Sequence, residues 1–174
     1  MLNETIRALS REQLLSLLES DAKNWLATDG YWFQSIERKY GMDEAMFHDI
    51  EMWRGFAVTE ARRLRKFLAL PEHPGLDGLA LALELRLHSR CSPSALERTA
   101  DGRLRFRYLR CRVQDARSGK GMPLHPCRVV GEIEFAAFAR TIDDRIRCRC
   151  LSCYPEITDD SCACAWEFSI PAAE

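Results

Sequence analysis

No run in the 174-residue sequence approaches the ~18 apolar residues that a bilayer-spanning helix needs. The opening MLNETIRALSREQ lacks the basic segment, apolar core and small-residue cleavage site of a secretory leader. The chain is therefore expected in the cytoplasm, with no membrane partner. Charge of one sign is also missing. A formal net charge of −1 gives no global field to attract nucleic acid, so any charged partner must be read from local patches. GxSxG, P-loop, dinucleotide-binding and HExxH strings are all absent, which excludes the enzyme classes built on them. With 47% hydrophobic residues, the chain is long enough for one domain over 1–174 with a sizeable core.

What the sequence does have is cysteine, eight in all, five of them in the stretch CRCLSCYPEITDDSCACAWEF. In a reducing compartment disulfides are rare, so such clustering points to metal ligation, redox chemistry or burial.

Residues 1–70 read as helical. Ser10 and Gln13 have capping-box spacing, and Leu14, Leu17, Leu18, Ala22 and Trp25 recur at helical intervals, predicting a first helix that ends near Thr28. Asp29 is expected to precede a short second helix with Trp32, Phe33, Ile36 and Tyr40 on one side and Gly41 at its C′ position. Asp43 is a candidate cap for a third, whose stripe runs Ile50, Trp53, Ala57, Ala61, Leu64, Leu68. Pro71, Pro74, Gly75 and Gly78 then break the chain. The exposed side of Trp53 or Trp32 is a place for a homodimer contact, which periodicity does not distinguish from core packing.

Residues 79–170 read as a sheet with a crossover helix. Leu81, Leu83, Leu85 and Leu87 alternate as in a strand, although Leu79, Leu83 and Leu87 also fit a helix. Asp101-Gly102 signals a hairpin, and RLRFRYLRCRV sets Leu104, Phe106 and Tyr108 against Arg103, Arg105 and Arg107. After the loop SGKGMPLHP, GEIEFAAFARTI places Phe135, Phe138 and Ile142 on one helical face. Two strands follow, with Ile146, Cys148 and Cys150 on one face of the first and Cys162, Cys164, Trp166 and Phe168 on one face of the second. The expected fold class is α+β, with N-terminal helices packed on a C-terminal antiparallel sheet.

Cys148 and Cys162 read as core residues, because cysteine is a small hydrophobe on what looks like the buried face. Cys150-x-x-Cys153 is a knuckle that lets two sulfurs meet one tetrahedral ion, and Cys164 on the returning strand is a third candidate ligand. A fourth would come from Cys111, Cys127 or His125, and zinc is the expected ion. The triplet Cys-Arg-Val occurs at 111–113 and at 127–129, each time setting a cation beside a thiol, although adjacent strand residues point to opposite faces. His125 lies two residues before Cys127, which makes it a candidate general base for a Cys127 nucleophile, with Cys111 as the other candidate thiol. Glu44, His48 and Glu51 share a helix face that reads either as a metal group or as a solvated surface. Arginines 103, 105 and 107, with 145, 147 and 149, form cationic faces without the interleaved aromatics of a nucleic-acid platform, so no nucleic-acid partner is expected.

Taken in order, DGYWF at 29–33, GMDEA at 41–45, the Trp53 helix, CRVQDAR at 111–117, PCR followed by Gly131 and Phe135, the Cys150–Cys153 pair and CAWEF at 164–168 carry a resemblance over most of the chain. The chain resembles uncharacterised bacterial cytosolic proteins related to the L-2-amino-thiazoline-4-carboxylic acid hydrolase-like group. That resemblance implies that Cys111, Cys127, Cys150, Cys153 and Cys164 are the family-pattern thiols and that Cys91, Cys148 and Cys162 are incidental. Where the family pattern has two prolines after the knuckle, this chain has Tyr154-Pro155. The C-terminal order of crossover helix and cysteine-bearing hairpin is also similar to the vinyl-reductase type of small-ligand-binding domain. Three functions follow as expectations: a small-molecule or zinc-binding domain, a hydrolase of a cyclic amide or thiazoline acting through a thiolate or metal-bound water, and a thiol redox sensor using Cys150 and Cys153.

Overall fold

Residues 3–171 are described by a computed structural model. Among them, six α-helices and a four-stranded antiparallel sheet give the expected α+β class, with long helices first and the sheet toward the C-terminus.

A short helix α1 (Glu4–Arg7) leads to the capping box, where Ser10 Oγ accepts from the Gln13 N–H at 3.2 Å and Gln13 Oε1 accepts from the Ser10 N–H at 2.8 Å. From there α2 (Arg11–Tyr40) runs unbroken for 30 residues, which corrects the expected break at Thr28 and Asp29. Gly30 inside a helix costs about 1 kcal/mol, and the burial of Leu26 and Phe33 on either side of it is worth more. The expected second-helix face is also corrected, since Phe33 is buried while Trp32 is 68% exposed. Gly41, at φ 94°, reverses the chain between α2 and α3 (Met42–Phe67). It serves as the N-cap of α3, so Asp43 sits in the first turn and is not the cap. Trp53 is buried and packs edge-on against Trp25, with ring centroids 5.6 Å apart, so it belongs to the α2–α3 interface.

The ambiguous leucine segment resolves as helix α4 (Gly75–Glu84), which buries Leu76, Leu79 and Leu83 and leaves Leu81 exposed. After a 3₁₀ turn at His88–Arg90, the strands β1 (Ser94–Arg98) and β2 (Leu104–Tyr108) form the expected hairpin with Gly102 at φ 80°. Leu104, Phe106 and Tyr108 face the core. The strand does not continue through Cys111 as expected; α5 (Arg112–Gly119) starts there with Cys111 as its N-cap. Helix α6 (Cys127–Ile142) likewise begins at the second Cys-Arg-Val triplet. Both repeats therefore mark helix starts, where helical turns and not strand alternation decide which way each side chain points.

The strands β3 (Arg147–Cys153) and β4 (Cys164–Ser169) complete the sheet in the order β1-β2-β4-β3. A register shift between Cys150 and Ser152 puts Cys153 directly opposite Cys164. Helix α6 covers the sheet's apolar face with Phe135, Phe138 and Ile142. On the opposite face Glu167 accepts from Arg103 Nη1 at 2.9 Å and from Arg149 Nη2 at 2.7 Å, while Glu97 pairs with Arg105 at 3.0 Å. The arginine stripe thus carries its own counter-charges. Arg145 leaves it altogether and pairs with Asp143.

The approach of α6 to β4 is set by Gly131. A Cβ there would lie 2.5 Å from Trp166 Cζ2 and 2.6 Å from Cη2, inside van der Waals contact. Gly131→Ala is expected to destabilise by about 1–3 kcal/mol and lower Tm by roughly 3–10 °C in a thermal melt. Gly55→Ala, on the exposed face of α3 with nothing within 4 Å, should leave Tm unchanged or slightly raised.

Candidate functional site

Between α2, α3, α5, α6 and the sheet lies a cavity of about 290 Å³. Its wall is built around His125 and Cys127. Pro126, at φ −76° and ψ 66°, forms an inverse γ-turn in which the Cys127 N–H donates to His125 O at 2.8 Å. Proline already holds φ near this value, so the turn costs little and fixes the two flanking side chains relative to each other.

His125 Nδ1 lies 3.2 Å from Cys127 Sγ, and His125 Nε2 lies 3.0 Å from Asp49 Oδ2 on α3. With a carboxylate at Nε2, that nitrogen carries the proton, which leaves Nδ1 to accept from the thiol. Gln114 on α5 braces the pair from the other side. Its Oε1 accepts from the His125 N–H at 3.0 Å, and its Nε2 donates to His125 O at 2.7 Å and to Cys127 Sγ at 3.1 Å. The Phe33 ring packs on the imidazole with centroids 4.7 Å apart.

Burial, followed by the nearby Cys111, Cys164, Asp49 and Glu134, pushes the Cys127 thiol well above its usual range. The resting sulfur is therefore a thiol. Its position at the first residue of α6 and the Gln114 N–H favour any negative charge placed on the sulfur. Cys111 lines the same cavity and is raised to about 11, chiefly by burial.

Two polar groups bordering the cavity have side-chain atoms with no hydrogen-bond partner among the described residues. His88, stacked on Tyr108 at 4.6 Å, keeps a buried Nε2 without a hydrogen bond, and burial together with Arg86 lowers its pKa to about 4. Asp29 makes no hydrogen bond or ion pair among the described residues. Burial, then Asp49, raise its pKa to about 7.

The five thiols expected as zinc ligands are only partly gathered. Cys153 lies opposite Cys164 in the β3–β4 ladder and both line the same cavity as Cys111 and Cys127, whereas Cys150 lines a separate pocket. Among the described residues the one group with three ligand atoms within 4.8 Å of one another is His73, Asp143 and Asp144, so no three of these sulfurs meet as a tetrahedral ion requires. Asp143 is already engaged by Arg145 and by the Gly75 N–H. Of the Glu44, His48 and Glu51 group, His48 pairs with Glu44 at 3.3 Å and Glu51 with Arg54, all on a solvated face. Cys162 is buried as expected, and Cys148 is half-buried with its pKa raised to about 12 by burial.

Sequence reasoning found Cys127 and His125 but missed Asp49, Asp29 and Gln114. The signal for Asp49 was present, since it falls on the stripe Ala45, Asp49, Trp53, Ala57, where an acid needs a partner. Asp29 was read as a helix boundary, and Gln114 was given no role beyond its place in CRVQDAR.

Asp29 makes stability depend on pH with a definite sign. Its carboxyl binds a proton more tightly when folded, so its contribution is complete below about pH 4 and is lost as pH rises through about 7. Asp29→Asn, which mimics the protonated form, is expected to match wild type at pH 4. By pH 8 it should exceed wild type by roughly 5–10 °C in Tm, measured by calorimetry.

No helix in the described residues is long and apolar enough to cross a membrane. No curated protein and no solved structure matches the chain. Residues 7–170 match the model of the family of unknown function DUF6125, and the chain belongs to that family.

Proposed function

We propose that the protein is a thiol-dependent hydrolase of small cyclic amides or thiazolines, with Cys127 as nucleophile. The observation that carries this reading is the continuous Cys127–His125–Asp49 chain, with contacts of 3.2 and 3.0 Å, on the wall of a cavity of about 290 Å³. A nucleophile, a base within hydrogen-bond reach and a carboxylate orienting that base form a constellation that recurs on unrelated folds for acyl transfer. The resemblance to the thiazoline-carboxylate hydrolase-like group supports ring opening as the reaction type. The cavity lies at the small end of the ligand-pocket range, roughly 300–1,000 Å³, which suits a small-molecule ligand.

In this mechanism Cys127 Sγ attacks the ring C=O or C=N carbon and its proton passes to His125 Nδ1. Asp49, accepting from Nε2–H, stabilises the imidazolium. Ring opening breaks the C–N bond, and the leaving nitrogen takes a proton from Asp29, which is protonated below about pH 7 and is re-protonated by the His125 imidazolium, so that His125 is neutral again. Water then attacks the thioester or thioimidate with His125 as base, and the thiol is released. His88 Nε2 offers a neutral hydrogen-bonding contact, and Lys23, Arg112 and Lys120 border the cavity as cations for a substrate carboxylate.

The zinc reading is less well supported, because no three of its thiols converge. The hydrolase reading is tested by following 2-amino-thiazoline-4-carboxylate and five- and six-membered lactams by chromatography. Cys127→Ala is expected to lose turnover by at least about 10³-fold, and Asp49→Asn to lower kcat by about 10²–10⁴-fold with KM little changed. Wild-type rates in the Cys127→Ala protein, or one zinc per chain lost in that variant, would overturn the assignment.

A further inference from the structure

The Cys127 site leaves Cys150 and Cys153 unused, and these two thiols have a geometry of their own. The register shift in β3 sets Cys150 opposite Trp166 and Cys153 opposite Cys164, two residues apart on β4, so the two thiols take successive positions on one face of the sheet. Cys153 is buried, at the cavity wall, and stands opposite Cys164 on β4. Cys150 is only half-buried and lines a separate, shallow pocket with Arg128, Glu132 and Arg149. The middle thiol therefore links an interior partner to an outer one.

The environments of the outer and catalytic sulfurs differ in a way that matters chemically. The neighbouring Cys153 thiol, then the nearby Arg128, lower the Cys150 pKa against the effect of burial. Cys127 is held as a thiol by burial and neighbouring acids. Oxidation by peroxide needs an accessible thiolate with a second thiol ready to resolve the product; Cys150 has both, whereas Cys164, whose pKa is also lowered beside Cys153, lines the interior cavity.

We infer that Cys150 is a hydroperoxide-oxidation site with Cys153 as its resolving thiol, distinct from the Cys127 site. The Cys150 thiolate attacks one oxygen of the hydroperoxide, the O–O bond breaks, and the leaving alkoxide or hydroxide takes a proton to become alcohol or water. Cys150 is then a sulfenic acid. Cys153 Sγ attacks that sulfur, its proton leaves with the hydroxide as water, and a Cys150–Cys153 disulfide forms. The two thiols lose two electrons in total to the one peroxide. Arg128 and Arg149 border the approach and can hydrogen-bond the peroxide oxygens. Cys164 is not the resolving partner of Cys150, because Cys153 stands between them and Cys164 is already engaged by Trp166 Nε1 at 3.3 Å.

The test uses the reduced full-length chain with one to five equivalents of hydrogen peroxide, followed by thiol blocking and non-reducing mass spectrometry. Cleavage after Arg149 and Glu156 isolates CLSCYPE, separating Cys150 and Cys153 from Cys162 and Cys164. This peptide is expected to become two hydrogens lighter at least about 10-fold faster than Cys127 is oxidised. In Cys153→Ser, dimedone should label Cys150 first. A Cys153–Cys164 link, a CLSCYPE peptide still reduced when Cys127 is oxidised, or first labelling at another cysteine would overturn the inference. The wild-type map stands without the variant, and repeating it on Cys127→Ala separates this result from the fate of the hydrolase reading.

Discussion

One guanidinium organises the interior. Arg86 is buried, with Nε 2.9 Å from Glu60 on α3 and Nη2 2.5 Å from Glu134 on α6, and its plane lies over Phe138 at 4.5 Å. Burial works against its charge, yet Glu134 and Glu60 together hold its pKa above the ordinary value. Glu60 also accepts from the Leu87 N–H at 2.6 Å, which ties down the chain leaving α4. Removing one partner of such a buried pair strands the other charge and costs on the order of 3–5 kcal/mol. The relative placement of α3 and α6 depends on this clamp.

The candidate site uses the same two helices and the same faces of them. Asp49 precedes Glu60 by eleven residues, about three helical turns, and Cys127 precedes Glu134 by seven, about two turns. Each site residue therefore lies on the stripe that also carries a clamp residue, and the register that seats Arg86 also brings Asp49 to His125. The environment that makes the clamp costly to break also shapes the chemistry: burial and clustered acids keep Cys127 protonated and Asp29 neutral into the physiological range. A site of this kind relies on proton transfer at the moment of attack and not on a standing thiolate.

Much of the fold was legible because apolar periodicity reports burial. Phe135, Phe138 and Ile142 are all in the core, as are Leu104, Phe106 and Tyr108, and the Asp-Gly hairpin forms where it was read. The failures share a cause. Asp29-Gly30 looked like a boundary, but packing on either side carries α2 through it; the arginine alternation ended at Tyr108, and helix-forming residues after Cys111 took over. The site was half legible. His125 and Cys127 are close in sequence and visible as a pair, whereas Asp49 comes from a helix 76 residues away, and only its position on an apolar stripe hinted at a buried partner. Clustering in sequence did not tell which thiols share a surface: Cys153 and Cys164 line the main cavity with Cys111 and Cys127, while Cys150 lines a separate pocket.

The turn at Pro126 has a consequence for how such a site changes over time. His125 and Cys127 are separated by one proline whose φ and ψ already suit the turn, so their mutual distance is a local property of three residues. The dyad is in effect a cassette at the start of a helix. Residues lining the rest of the cavity come from other elements, so they can diversify to admit new ligands without disturbing the distance from sulfur to imidazole.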